Sequence, residues 1–129
     1  MLDRMRQKRI LIVEDDGDVR RFYRTILSMA GYDVEEAGDG VEALRLIENN
    51  VPDLIVLDLV LRSLDGVSVQ QELAAGSLTA RIPIVVVTGS TIDTTALNVA
   101  CVLRKPVTPE ELVNTVKQCM ASAAPAAGA

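Results

Sequence analysis

Apolar residues along this chain fall into two alternating patterns: short unbroken aliphatic runs, and longer stretches in which they recur at three- and four-residue spacing. The runs are Ile10–Val13, Leu54–Leu57, Ile82–Val87 and Val99–Leu103, with a brief, more polar stretch at Asp33–Ala37. Runs this short and this apolar predict strands buried on both faces, as in a parallel sheet covered by helices. Pro83 falls near the start of its run, where a missing backbone donor is tolerated.

The periodic stretches predict helices. Val19, Phe22, Tyr23, Ile26, Leu27 and Ala30 form one continuous stripe, and Gly31 follows where a left-handed residue ends a helix. Asp39, with Glu42 three residues on, opens a second helix whose Val41, Leu44 and Ile47 are expected to face inward. Asn49 to Pro52 breaks it. Asp65-Gly66 marks a turn before a weakly periodic helix to about Ala75, and Gly76 to Arg81 reads as loop. Thr108-Pro109-Glu110-Glu111 is a strong start for the last helix, which is expected to bury Leu112, Val113, Val116, Cys119 and Met120. Strands alternating with helices predict an α/β fold with right-handed crossovers and helices on both faces of the sheet.

At 129 residues the chain fits one domain with a core of its own. Residues 1–8, charged and poor in apolar groups, read as a flexible arm and not a signal peptide; residues 9–120 form the domain; residues 121–129, of Ala, Ser, Pro and Gly, read as a disordered tail or linker remnant. The formal net charge is −5, which argues against direct nucleic-acid binding. Arg20, Arg21 and Arg24 read as a solvated helix face. No apolar run is long enough for membrane insertion. The chain contains no His, which excludes Ser-His-Asp and Cys-His catalysis and leaves any metal site to oxygen or thiolate ligands. Cys101 and Cys119 lack metal-ligand spacing and read as reduced, small apolar residues of a cytoplasmic protein.

Candidate chemistry appears where the strands end. Leu54–Leu57 stops abruptly in Asp58, the first strand in Glu14-Asp15-Asp16, the fourth in Thr88 and the fifth near Lys105. In open α/β sheets, ligands bind in the crevice beyond these ends. Converging carboxylates repel unless one is neutralised or a hard cation joins them, and an oxygen-only ligand set suits Mg²⁺. A carboxylate beside such an ion can attack a phosphoryl group and form an acyl phosphate. A lysine and a hydroxyl then suit the phosphoryl oxygens.

The ordered set Glu14-Asp15, Asp58, Thr88 and Lys105-Pro106, with Asp65-Gly66 and the DGVEAL segment Asp39 to Leu44, resembles the receiver domain of two-component response regulators from about Lys8 to Met120. The resemblance implies a flavodoxin-like, doubly wound five-stranded sheet of order 2-1-3-4-5. It implies phosphorylation of Asp58 by a sensor histidine kinase or histidine phosphotransfer protein. Asp15, Asp58 and the backbone carbonyl of Val60 would hold Mg²⁺ directly, and Glu14 would act through water. Thr88 and Lys105 would contact the phosphoryl oxygens, and the Lys105-Pro106 bond would be cis. Asp16 would be an outer-shell or helix-start acid. The output would be a surface for an unidentified downstream protein, and a homodimer is compatible with it.

Departures from the family pattern are equally concrete. Val102 stands where an aromatic is usual, Arg62 where many receivers carry Pro, and Asn98-Val99 where Gly-Ala is common. Only 16 residues, 89 to 104, separate Thr88 from Lys105. Once the fifth strand is subtracted, about eleven remain for two connections and a helix, so that helix is expected to be short, irregular or absent. An apolar Val60, and Ser90 at the matching position after Thr88, are placed to influence water attack on an acyl phosphate.

Three functions are compatible with these residues: a phosphoryl-switched signalling module, a degenerate receiver that binds partners without phosphorylation, and a Mg²⁺-dependent aspartyl phosphatase. The third is disfavoured because such enzymes usually carry an acid two residues after the nucleophile, where this chain has Val60. A phosphoacceptor, and not a turnover enzyme, is the expectation.

Overall fold

The computed structural model describes residues 7–89, 94, 95, 97, 99 and 101–122. Five strands, β1 (Arg9–Val13), β2 (Asp33–Ala37), β3 (Leu54–Leu57), β4 (Ile84–Thr88) and β5 (Cys101–Arg104), make one parallel sheet of order β2-β1-β3-β4-β5. Helices α1 (Gly17–Met29), α2 (Gly40–Asn49), α3 (Gly66–Ala75) and α4 (Pro109–Ser122) cover its faces. This is the expected flavodoxin-like architecture.

Side chains on successive residues of a strand point to opposite faces, and the sheet's two faces build two cores. Leu11, Val13, Ile55, Leu57, Ile84 and Val86 pack with Ala43 and Ile47 of α2 and Val69 and Leu73 of α3. Ile10, Ile12, Leu54, Val56, Val85 and Val87 pack with Tyr23 and Leu27 of α1 and Leu112, Val116 and Cys119 of α4. Every residue of β3 and β4 is buried. Each such aliphatic contributes about 1.5–3 kcal/mol.

Local chemistry sets the helix ends. The Asp16 carboxylate accepts from the N–H groups of Asp18 and Val19 at the start of α1, so this acid is the helix-start residue. At its far end the N–H of Tyr32 donates to the Leu27 carbonyl (3.1 Å) and that of Gly31 to the Ser28 carbonyl (3.0 Å). This closure needs a left-handed residue, and Gly31 has φ of 101°. Asp39 caps α2 and Asp65 caps α3. Thr108 and Glu111 cap α4 reciprocally at 2.9 and 3.1 Å.

Several details differ from the sequence reading. β4 begins at Ile84, after Pro83, which cannot donate to the ladder but accepts from the N–H of Ile55 at 3.0 Å. β5 begins at Cys101, where pairing with Val85 of β4 starts, leaving Val99 outside the strand. A short 3₁₀ turn, Thr79–Arg81, lies in the stretch read as loop. α4 runs on to Ser122. In α2 the buried stripe is Gly40, Ala43 and Ile47, whereas Val41 is 58% exposed because it falls off that face. Phe22 is likewise 48% exposed, since α1 buries Tyr23 and Leu27 instead. Between Gly89 and Cys101, none of the described residues Thr94, Thr95, Leu97 and Val99 is helical; the rest of the segment expected to carry a short or irregular helix lies outside the described residues, as does Ser90.

Candidate functional site

The carboxyl ends of β1, β3, β4 and β5 converge because parallel strands all point the same way. The β1 ladder continues one residue past the strand, the N–H of Glu14 donating to Ala37 (3.1 Å), and β3 does the same, the N–H of Asp58 donating to Val13 (3.0 Å). Each acid therefore leaves a backbone that is still held by the sheet. Glu14 and Asp58 are buried, 2% and 6% exposed. Asp15 is half-buried, and one carboxylate oxygen from each of Glu14, Asp15 and Asp58 falls within 4.8 Å of the others.

The cation facing this cluster arrives from the far end of the chain. The N–H of Lys105 donates to the Thr88 carbonyl (3.0 Å), so β4 fixes where its side chain begins. Its Nζ then donates to Glu14 Oε1 at 2.9 Å and to Asp58 Oδ2 at 3.2 Å. The Lys105-Pro106 bond is cis. Thr88 is fully buried on the neighbouring strand. Val60, 58% exposed, directs its N–H to Asp58 Oδ1 at 3.1 Å.

Electrostatics follow from this geometry. Burial pushes the Glu14 carboxyl above its usual value and the Asp58 carboxylate adds to the rise, while bonds from Lys105 and the Asp16 N–H oppose it. Burial alone would lower the Lys105 ammonium, but its contacts with Glu14 and Asp58 outweigh that and raise it. The lysine is thus held charged. Oxygen donors with one ammonium suit a hard divalent cation and an incoming phosphoryl group far better than a soft metal.

A profile of the response regulator receiver domain matches residues 10–117. The chain belongs to this family. It is 41% identical over 127 residues to the response regulator MprA of Mycobacterium sp. (strain KMS), a match that covers 93% of this chain and 54% of that protein. The chain spans about half the length of the curated relatives it matches. Among solved structures it resembles a CheY-like receiver domain protein from Methanospirillum hungatei, with 28% identity, a TM-score of 0.85 and coverage of 92% and 97% of the two chains. It also resembles the receiver domain of a sensor histidine kinase from Pseudomonas aeruginosa, with 28% identity, a TM-score of 0.84 and coverage of 91% and 100%; that structure holds a magnesium ion in its active-site cleft.

This receiver domain therefore brings Glu14, Asp15, Asp58 and Lys105 into one cluster. Three further residues take part that the sequence reading did not assign to it. Arg20 is not a solvated arginine: its Nη1 donates to the Glu14 carbonyl at 2.7 Å and its Nε to Glu36 Oε1 at 3.0 Å. Arg21 and Arg24 do remain largely exposed. Arg62 places Nε 3.7 Å from Asp15 Oδ2. Gly66 packs so closely that a Cβ there would overlap the Asp58 carbonyl oxygen and the Leu59 Cα. The Asp-Gly pair was visible in the sequence as a turn; its contact with the Asp58 backbone was not.

Beside the cluster, Val19, Phe22, Tyr23, Lys105, Pro106 and Val107 line an open, mainly apolar groove of about 420 Å³. Lys105 belongs to both the groove and the acidic cluster. Among the described residues, no helix is long and apolar enough to cross a membrane. Val102 packs half-buried against the α2–α3 core.

Proposed function

We propose that this receiver domain accepts a phosphoryl group on Asp58 from the phosphohistidine of a sensor histidine kinase or histidine phosphotransfer protein. The observation that carries the reading is the Lys105 ammonium lying across Glu14 and Asp58 at 2.9 and 3.2 Å. A carboxylate oxygen of Asp58 forms the new bond to phosphorus, the P–N bond breaks, and its electron pair leaves with the donor's imidazole nitrogen. Lys105 and Thr88 bind the phosphoryl oxygens on which charge is spread.

Asp15, Asp58 and the Val60 carbonyl would hold Mg²⁺, with Glu14 acting through water; the all-oxygen set fits that ion. Bound there, Mg²⁺ would neutralise charge on the transferred group. Burial of Glu14 and Asp58 limits water at the site, and Gly66 and the Val13 carbonyl hold the Asp58 backbone in place.

The groove is the natural seat for the donor protein, because Lys105 both lines it and contacts Asp58. Output then passes by protein contact to a downstream partner; a net charge of −5 does not favour contact with nucleic acid. A second reading, a receiver that binds partners without phosphorylation, draws on Val102 standing where an aromatic switch residue is usual.

Mass spectrometry after incubation with phosphoramidate and Mg²⁺ tests the proposal. Wild type is expected to gain one phosphoryl group, and Asp58→Asn or omission of Mg²⁺ to abolish the gain. A folded wild type that stays unlabelled overturns this reading in favour of the second.

A further inference from the structure

Arg62 is carried over the acidic cluster by a loop anchored on both sides of it. Leu59 is buried, and Leu61 and Leu64 pack onto the α2–α3 core. The Leu64 backbone lies so near α2 that a Cβ on Gly40 would overlap its carbonyl oxygen. The N–H of Gly66 donates back to the Leu59 carbonyl at 2.9 Å, closing the loop. Ser63 adopts the left-handed conformation, φ 61°, uncommon for a residue other than glycine, and so reverses the chain immediately after Arg62. With the leucines turned inward, Arg62 projects outward, 81% exposed along its side chain, and meets Asp15 at 3.7 Å.

Charge within the cluster is divided accordingly. Lys105 touches the inner pair, Glu14 and Asp58, and Arg62 faces the outer carboxylate, Asp15. A divalent cation that takes Asp15 as a ligand binds close to the positive charge of this guanidinium and is repelled by it.

We propose that Arg62 is a resident counter-cation that competes with divalent metal for Asp15 and so sets the metal concentration at which the site becomes competent. The inference rests on the reading of Glu14, Asp15 and Asp58 as a Mg²⁺ site. An exposed arginine in high dielectric acts weakly, so the effect is a tuning of affinity and not a block.

Binding of Mn²⁺ alone, followed by the loss of its free electron paramagnetic resonance signal, tests this in wild type, Arg62→Gln and Arg62→Lys. At low ionic strength Arg62→Gln is expected to bind Mn²⁺ about 2–5-fold more tightly than wild type, with Arg62→Lys close to wild type. The difference is expected to collapse in 0.5 M KCl, where the Debye length is only about 4 Å. Equal affinity of wild type and Arg62→Gln at low salt, or a difference that salt leaves untouched, removes the inference but leaves the metal site standing. Failure of all three proteins to bind Mn²⁺ removes the site and the inference together.

Discussion

Gly66 and Asp58 meet backbone to backbone: the first residue of α3 lies against the carbonyl group of the acid that ends β3, with no room for a Cβ between them. The contact fixes how the loop after Asp58 returns to the helix. Gly66→Ala is therefore expected to displace the Asp58–Leu59 backbone, destabilise the domain by about 1–3 kcal/mol, and slow labelling by phosphoramidate. Urea denaturation and intact-mass labelling measure the two effects. Unchanged stability with unchanged labelling would show that the loop moves aside at no cost.

Glu36 ties β2 to α1 through Arg24 and Arg20. The bond from Arg24, aided by that from Arg20, holds its carboxyl below the ordinary value of 4.5, although burial pulls the other way. A depressed folded value means that ionisation favours folding. The contribution is complete above about 4.5 and disappears as pH falls through the lower folded value. Glu36→Gln is expected to cost about 0.5–1 kcal/mol at pH 7, and its stability curve should approach that of wild type on acidification. Chemical denaturation between pH 3 and 7 provides the check, at roughly half-unit steps.

Phe22 is an exposed aromatic on the groove that also contains Lys105. Phe22→Ala is expected to slow phosphoryl transfer from a histidine kinase that labels the wild type by about tenfold. Labelling by phosphoramidate, which needs no docking surface, should be unchanged. Equal loss with both donors would locate the effect in the acidic cluster and not in the groove.

Cys119 is buried against α1 and the sheet, and burial together with the neighbouring Cys101 pushes its thiol up to about 12. The thiolate is the reactive form. Cys119 is thus expected to resist iodoacetamide at pH 8 in the folded protein and to react readily in urea. Peptide mapping of the alkylated protein distinguishes the two states.

The sequence by itself determined the order of elements, because the interactions that specify them lie within a turn or a run. Four buried residues in a row define β3, and Thr108 with Glu111 caps α4 across three residues. It also marked Glu14, Asp15, Asp58, Thr88 and Lys105 as candidates, since an acid, hydroxyl or lysine that interrupts an aliphatic run falls at the end of a strand. Membership of the receiver family was legible in that ordered set.

Only the tertiary structure decided which of these groups touch. Lys105 reaches Glu14 across 91 positions of sequence, a meeting set by strand order and by the Thr88 carbonyl, not by any local pattern. Periodicity placed Phe22 and Val41 among inward residues because a helical stripe has no sharp edge; packing against the sheet turned both outward. Three arginines on one helix looked equivalent in the sequence, yet the fold brought Glu14 and Glu36 to Arg20 and left Arg21 at the surface. Burial and partner are properties of the folded surroundings, and those surroundings come from residues far apart in the chain.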